Sequence, residues 1–394
     1  MLEEAEQAHY DHSTSSFDGL RIEMRIAYVL TSLGVGGAER QVLALAERMK
    51  ARGHAVSLIV LLPRQPEEWS TTLDAVRLDM RKNPVSLLSG LRKARRFLRD
   101  FHPDLIHSHT FPANLTARLL NLPSSAPPLI STIHNVYEGP WPRMMAYRLT
   151  DPLSRRTTAV SRAAADRFVR LKAVPARKCS VLTNGTDTAE FVPNPERRER
   201  VRAQMGLQNE FVWLAAGRIQ PAKDYPNLLR AFSVVRQATP AALLWIAGEA
   251  ASPEAEAVQA LAAKLGLGAS VRWLGLRRDM PALLDAADGF VLASAWEGMP
   301  LAVGEAMAME KSVVATDVGG VRELTGECGA LVPAKSPESL AKAMLDLMGS
   351  TPETRRAFGR AARERIQNYF SMDAKADEWE ALYRAELARQ GTSD

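Results

Sequence analysis

Two glutamates at a short, fixed spacing carry the clearest chemical signal in this sequence. Glu297 and Glu305 are separated by seven residues in ASAWEGMPLAVGE, which runs from residue 293 to residue 305. Glu297 follows a predicted buried strand, and Pro300 suits the first turn of a helix that would contain Glu305. Both carboxylates could then face one cleft and accept hydrogen bonds from a polyhydroxylated ligand. The structural alternative is one acid favoured by the helix dipole and one exposed helical glutamate.

Two cations after another predicted strand form a second candidate site. Arg218 and Lys223 lie five residues apart in AGRIQPAKD, where Gly217 allows a close approach of the backbone. Two cations beside a helix start are suited to bind a diphosphate, although in isolation they are more typical of a solvated surface. The chain contains no Asp-x-Asp sequence. A diphosphate bound here would therefore be neutralised by Arg and Lys, and we expect neither a metal nor another cofactor.

A glycine-rich turn and a pair of histidines complete the candidate groups. Residues 34–39 read GVGGAE, and a dinucleotide-binding fingerprint would require glycine where Glu39 stands. That fingerprint is excluded, but backbone N–H groups of the turn could still approach a phosphate. His107 and His109 share one face of a predicted strand end. A metal site there would need a third ligand, so the metal interpretation is disfavoured.

These residues lie in a regular alternation of predicted strands and helices. A strand at Arg25–Leu30, a helix at Ala38–Met49 and a strand at Ala55–Leu62 form a βαβ unit, which indicates a parallel sheet. The other predicted strands are Leu105–His107, Leu129–Ile133, Thr158–Val160 and Val181–Leu182, followed by Phe211–Ala215, Ala242–Ala247, Val271–Leu274, Gly289–Ala293 and Ser312–Ala315. The pattern predicts an α/β protein with two Rossmann-like, doubly wound domains that face a central cleft.

The domain boundaries follow from composition. Residues 24–190 and 191–372 are predicted to form the two domains, and the proline-rich, charged segment 192–201 is predicted to be a linker. Residues 1–23 carry a net charge of −5 and lack the apolar core of a signal peptide, which predicts a disordered acidic tail. The longest apolar run, at 55–62, is too short to span a membrane.

Together these segments resemble the GT-B glycosyltransferases, most closely the retaining group 1 or GT4-type family. The resemblance covers nearly the whole chain after residue 24. Arg218 and Lys223 match the family's diphosphate clamp. Glu297 and Glu305 match its paired glutamates, and Gly36 and Gly37 match its glycine loop. Further matches in family order are Ser161, Asn184 with Gly185, Gly275 with Asp279, and Gly319 with Gly320.

The resemblance implies that the cleft binds a nucleoside-diphosphate sugar, UDP- or GDP-linked. Arg218 and Lys223 would hold the diphosphate. Glu305 would accept hydrogen bonds from the ribose, and Glu297 from the donor sugar. His134 would approach that sugar, although Asn135 follows it where the family also has Asp. The other implied donor-binding positions are Gly36, Gly37, Gly275, Gly298, Met299, Pro300 and Leu301. Helix 373–394 would cross back onto the N-terminal domain, which would bind the acceptor.

The charge distribution points to an anionic partner of the first half. Residues 24–190 carry a net charge of +12, whereas residues 191–394 carry −2. The cations concentrate in an amphipathic segment, 86–100, and in 143–178, which are candidates for binding an anionic membrane surface or acceptor. No nucleic-acid recognition motif accompanies them. The two cysteines cannot form a disulfide framework, which favours the cytoplasm, including the inner face of its membrane.

The sequence therefore predicts a retaining glycosyltransferase. Its acceptor would be a glycan or lipid-linked glycan in cell-surface polysaccharide or glycolipid synthesis. No carboxylate nucleophile stands out, which favours a front-face transfer in which the leaving phosphate helps to deprotonate the acceptor. The alternatives are a GT-B nucleotide-sugar epimerase and a non-catalytic nucleotide-sugar-binding protein. The sequence does not indicate an oligomeric state.

Overall fold

The chain folds around two parallel β-sheets, one in each half. The computed structural model describes residues 23–121, 127–249 and 252–391. The predicted acidic tail, apart from Glu23, lies outside these residues, as do the last three residues of the predicted C-terminal helix.

The first sheet has seven parallel strands. They are β1 (Arg25–Leu30), β2 (Ala55–Val60), β3 (Asp74–Arg77), β4 (Leu105–His109), β5 (Leu129–Ile133), β6 (Arg156–Ala159) and β7 (Cys179–Val181). Their spatial order is β3-β2-β1-β4-β5-β6-β7. The helices of this half are α1 (Gly37–Ala51), α2 (Pro84–Phe101), α3 (Phe111–Leu120), α4 (Trp141–Thr150) and α5 (Arg162–Arg170). Because the strand order reverses between β1 and β4, a crevice opens at their carboxyl ends.

The second sheet has six parallel strands. They are β8 (Val212–Ala216), β9 (Leu243–Ala247), β10 (Val271–Gly275), β11 (Gly289–Leu292), β12 (Ser312–Thr316) and β13 (Gly329–Val332). The order β10-β9-β8-β11-β12-β13 reverses between β8 and β11. The helices are α6 (Pro195–Gln204), α7 (Tyr225–Ala238), α8 (Pro253–Lys264), α9 (Met280–Ala286), α10 (Leu301–Ala308), α11 (Val321–Thr325), α12 (Pro337–Gly349), α13 (Pro352–Tyr369) and α14 (Met372–Gly391).

Apolar residues cover both faces of each sheet, which is why the strands appear as continuous apolar runs. Strand β1 has five buried residues in a row after Arg25, and alternate members pack into separate core clusters on opposite faces. The second sheet is likewise covered by two clusters. Parallel sheets require helices on both faces, and the βαβ connections supply them. The predicted fold class, two Rossmann-like α/β units, is confirmed.

The C-terminal helix α14 lies against the first sheet, not the second. Trp379 and Tyr383 are buried in the same core cluster as β1 and β2. Just before the helix, the backbone N–H of Thr186 donates to the carbonyl of Phe370 at 2.7 Å, and the N–H of Met372 donates to Thr186 at 2.9 Å. The chain therefore returns to the first half immediately after α13.

The structure differs from the sequence-based prediction at one helix and two strands. The segment predicted as a linker at 192–201 largely forms α6, which Asn194 caps by accepting a hydrogen bond from the Arg197 N–H at 2.9 Å. No residue of α6 is buried, so the helix lacks the apolar periodicity that would have predicted it. Strands β3 and β13 were not predicted because they are short and largely unburied.

Candidate active site

A cleft between the two sheets brings the predicted site residues together. It has a volume of about 440 Å³ and lies at the carboxyl ends of the central strands. Arg218 follows β8, Glu297 follows the neighbouring β11, and His134 follows β5 across the cleft. The other predicted residues that line it are Gly36, Gly37, Lys223, Gly298, Met299, Pro300, Leu301 and Glu305. Gly275 is the exception: its neighbours Leu276 and Arg277 line the cleft instead.

The two cations of the predicted clamp differ in their side-chain contacts. Lys223 Nζ lies 2.6 Å from Glu297 Oε1, and the Ser294 hydroxyl donates to the same oxygen at 2.6 Å. Arg218 is exposed and makes no side-chain hydrogen bond or ion pair within the described residues. Its guanidinium is therefore available to an anionic ligand, whereas Lys223 is held by a carboxylate.

Glu305 is held by an arginine from the opposite half of the protein. Arg40, on α1, contacts Glu305 Oε1 at 2.7 Å and Glu190 Oε2 at 2.8 Å. Burial raises the pKa of Glu305, the Arg40 charge lowers it, and the Glu190 charge raises it. A buried carboxylate stays ionised only where a cation or hydrogen-bond donors compensate it. Burial outweighs the Arg40 charge, so the pKa of Glu305 lies above its usual value, and Arg40 limits that rise.

The glycine loop ends at the first turn of α1, where Gly36 is the N-cap. A Cβ on Gly36 would lie 2.3 Å from Oε2 of Glu39, so the glutamate side chain folds back over the loop. Burial raises the pKa of Glu39, and the charge of Arg218 opposes this shift. A phosphate near this helix N-terminus would thus share Arg218 with Glu39.

Glycine at 298 allows the two halves to touch. A Cβ on Gly298 would stand 1.9 Å from the carbonyl oxygen of His134. On the other side, the Gly320 N–H donates to the Gly298 carbonyl at 2.8 Å. The loop that carries Glu297 is therefore fixed directly against the residue that follows β5.

Three histidines connect the cleft to α14: His107 and His109 are buried, and His134 is half-buried. His134 Nε2 lies 3.1 Å from His109 Nδ1, and His107 Nδ1 lies 2.7 Å from the Tyr383 hydroxyl. Burial lowers the pKa of His134 to about 4 and lowers those of His107 and His109 well below their usual value. All three rings are consequently neutral at pH 7.

A nitrogen of His109 that lacks a hydrogen-bond partner favours one tautomer of His109 and of His134. His109 Nε2 is buried without a hydrogen-bond partner in the described part of the chain. An orphaned buried N–H is rarer than an orphaned acceptor, so the His109 proton belongs on Nδ1, where it is donated to His134 Nε2. The proton of His134 then resides on Nδ1, which makes that atom a neutral hydrogen-bond donor.

Comparison with known proteins identifies both halves of the chain. The family Glycosyl transferases group 1 matches residues 197–365, and Glycosyltransferase Family 4 matches residues 35–190. The alpha-maltose-1-phosphate synthase of Mycolicibacterium smegmatis is 31% identical over 313 residues, which are 71% of this chain and 78% of that protein. The chain belongs to the group 1 glycosyltransferases.

Other relatives of this glycosyltransferase have different substrates in their names. The UDP-Gal:alpha-D-GlcNAc-diphosphoundecaprenol alpha-1,3-galactosyltransferase of Escherichia coli is 24% identical over 77% of this chain and 79% of its own. Sucrose-phosphate synthase from Thermosynechococcus elongatus has a TM-score of 0.81 at 22% identity, covering 93% of this chain and 100% of that one. HepE of Anabaena, solved with UDP and glucose, has a TM-score of 0.81 at 21% identity, covering 91% and 99%. The glycosyltransferase therefore has the GT-B fold.

Sequence reasoning missed Glu138, which also lines the glycosyltransferase's cleft. Its Oε1 accepts from the His134 backbone N–H at 2.9 Å, and its Oε2 accepts from the Tyr147 hydroxyl at 2.6 Å. Burial raises the pKa of Glu138 to about 7. Arg40 was missed as well, because nothing local in the sequence links it to Glu305. The one local signal for Glu138 is its position four residues after His134, within the same loop.

Two further observations bear on ligands and membranes. Within residues 23–121, 127–249 and 252–391, no three His, Cys, Asp or Glu side chains are grouped so that they could hold a metal ion. Over the same ranges, none of the helices combines the length and the apolar character that crossing a bilayer requires.

Proposed function

We propose that this glycosyltransferase transfers a sugar, with retention of configuration, from a UDP- or GDP-linked donor to a hydroxyl group of a glycan or lipid-linked glycan. The observation that carries the proposal is the unpaired Arg218 guanidinium in one cleft with two buried glutamates. A nucleotide sugar offers the matching groups: a diphosphate for the cation and two sets of sugar hydroxyls for the carboxylates.

The donor would lie along the second half of the molecule. Arg218 and Lys223 would bind the diphosphate, with backbone groups of Gly36 and of Met299–Leu301 beside it. Glu305 would accept from the ribose hydroxyls through Oε2, since Arg40 occupies Oε1. The loop at 275–277 would border the base, with Leu276 and Arg277 lining the cleft there.

The donor sugar would sit between Glu297 and His134. Glu297 would accept from its hydroxyls, and Lys223, at 2.6 Å from Glu297 Oε1, would hold that carboxylate in place. His134 would donate from Nδ1 to a sugar oxygen. Gly298 supports this placement because it brings the loops of Glu297 and His134 into contact.

Catalysis would depend on stabilising the departing diphosphate. As the glycosidic bond breaks, negative charge develops on the leaving phosphate oxygen, and Arg218 and Lys223 would lower the energy of that state. The same oxygen would accept the proton of the attacking acceptor hydroxyl on the front face. The two cations provide the neutralisation, so the proposal includes no metal.

The acceptor would bind on the first half, at the cytoplasmic face of a membrane. Helix α2 exposes Leu87 and Leu88 by 45% and 46%, and its cations are also exposed. An anionic bilayer attracts such a helix. In the 143–178 stretch, by contrast, Arg156 and Lys178 are bound internally to Glu386 and Asp151. Membrane attraction is therefore assigned mainly to 86–100.

The function is tested in two steps with the purified protein. Thermal-shift assays with UDP-, GDP- and ADP-sugars identify the donor, because a ligand that binds only the folded state raises the melting temperature. NMR of the product with and without acceptor then separates transfer from epimerisation. We expect Arg218→Ala and Glu297→Ala each to reduce transfer at least about 100-fold, as loss of charge-stabilising groups does. Full activity in either variant, or conversion of donor without acceptor, would overturn the proposal.

A further inference from the structure

A second cavity lies beside the catalytic cleft, at the carboxyl edge of the first sheet. It has a volume of about 480 Å³ and runs between the ends of β1 and β2 and the first turns of α2 and α3. We call it the apolar groove, because its surface is formed mainly by Leu61, Leu62, Met80, Pro84, Leu87 and Pro112. A groove of this composition binds water poorly and hydrocarbon well.

The apolar groove adjoins the catalytic cleft. Pro112, at the first turn of α3, lines both cavities. Thr31, which also lines the groove, shares a hydrogen bond of 2.8 Å with Thr110, which lines the cleft. The groove therefore opens on the side of the cleft formed by the first sheet, away from Arg218 and the paired glutamates.

The rim of the apolar groove is cationic. Arg81 and Lys82 line it and are exposed, and none of its lining residues among those described is acidic. Helix α2, which forms one wall, adds Arg92, Lys93, Arg95, Arg96 and Arg99 along its length. A hydrocarbon surface with a positive rim is complementary to an amphiphile that has an apolar chain and an anionic head group.

We propose that the apolar groove binds the hydrocarbon chain of the acceptor, a lipid with a phosphate or diphosphate head, and that Arg81 and Lys82 contact this head. The inference rests on the proposed function, because it names the acceptor class of the same reaction. The chain lies in the groove and the head at the rim, so the sugar attached to the head extends past Pro112 into the cleft.

Two neighbouring leucines provide a matched pair for the test. Leu87 lines the groove, whereas Leu88 does not, yet both are exposed to nearly the same extent on α2. Farnesyl diphosphate is the probe, and calorimetry measures its binding to the wild-type protein and to Leu87→Glu and Leu88→Glu. Inorganic diphosphate measures binding of the head group alone, including any at Arg218.

We expect Leu87→Glu to weaken farnesyl diphosphate binding at least about tenfold, since each CH₂ removed from an apolar contact weakens binding about fourfold. Leu88→Glu should change it less than twofold, and neither variant should alter binding of inorganic diphosphate. The double variant Arg81→Ala, Lys82→Ala should weaken farnesyl diphosphate several-fold. Far-ultraviolet circular dichroism verifies that each variant folds.

Three outcomes would overturn the inference. One is that farnesyl diphosphate binds no better than inorganic diphosphate. Another is that Leu87→Glu and Leu88→Glu weaken binding equally, which would make α2 a membrane-binding surface without a groove. A third is that Leu87→Glu changes only self-association, measured by sedimentation, which would assign the groove to a second copy of the chain.

Failure of the proposed function gives a different result. If the protein is not a transferase, no sugar is transferred to any acceptor, while the effect of Leu87→Glu on probe binding persists. If only the groove is wrong, transfer to a prenyl-diphosphate acceptor proceeds with the same KM in Leu87→Glu and in the wild type.

Discussion

At the scale of single residues, Arg40 limits the rise in the pKa of Glu305 that burial causes. Replacing Arg40 by Gln removes the charge that opposes the effect of burial, so the pKa of Glu305 rises further. A protonated Glu305 would be a weaker acceptor for the ribose hydroxyls that are proposed to bind there. We expect Arg40→Gln to weaken nucleotide binding about fivefold at pH 7, or ~1 kcal/mol, which is typical of one weakened hydrogen bond. The measurement is a calorimetric titration with the nucleoside diphosphate of the confirmed donor.

The pH dependence and a matched variant separate this effect from lost packing. Binding to Arg40→Gln should recover as the pH rises, because the carboxyl of Glu305 then ionises without help. Glu190→Gln removes a charge that raises the same pKa, so it should leave binding at pH 7 unchanged or slightly tighter. Equal losses in both variants, independent of pH, would refute the electrostatic role of Arg40.

The sequence selects candidate site residues but does not indicate their partners in the folded chain. Arg218, Lys223 and Glu297 could be selected because they come after strands of a recognisable α/β pattern, and Glu305 because it lies on the helix that follows Glu297. The contact between Arg40 and Glu305 joins residues 265 positions apart in different halves. It depends on how the halves dock, which no local pattern encodes.

At the scale of elements, two loops from different sheets must approach each other without a side chain between them. In Gly298→Ala, the added Cβ would stand 1.9 Å from the His134 carbonyl, so the loops must separate by at least about 1 Å. A displacement of 1 Å in a catalytic site can cost about 100-fold in rate. We therefore expect Gly298→Ala to lose at least that much transfer activity while both sheets remain folded.

Gly268 provides the control for this substitution. A Cβ there meets no atom within 4 Å, and its backbone is not in the left-handed region. Gly268→Ala should keep full activity and stability. If steady-state rates of Gly298→Ala equal those of Gly268→Ala, the contact between the loops is not required for transfer.

The elements themselves follow closely from the sequence wherever burial is complete. Strands β1, β8 and β9 were predicted from unbroken apolar runs, whereas β3 and β13 are largely unburied and were missed. Helix α6 was mistaken for a linker because it presents no apolar face. Burial on both faces thus produces the continuous apolar run from which a strand can be predicted. Elements at an edge or on the surface lack such a run.

At the scale of the whole molecule, three histidines with lowered pKa values make the folded state sensitive to acid. His107, His109 and His134 have lowered pKa values, about 4 for His134, so the unfolded chain binds more protons than the folded one just below pH 6.5. Stability contributed by these groups is present above pH 6.5 and is lost as the pH falls. Glu138 acts oppositely: its raised pKa of about 7 gives stability that is lost as the pH rises from 4.5 to 7.

The four groups together contribute to the slope of stability against pH near pH 5.5, where the raised pKa values of Glu39 and Glu305 act in the same direction as that of Glu138. Three histidines against one carboxyl leave a net difference of two protons, which corresponds to at most about 2.7 kcal/mol per pH unit. Urea unfolding from pH 5 to pH 7 measures this slope. His109→Gln should reduce it by one proton, because that ring no longer titrates, and Glu138→Gln should increase it by one, because the opposing carboxyl is gone. If the slope is the same in both variants, other groups control the acid sensitivity, and the histidine chain from the cleft to α14 does not.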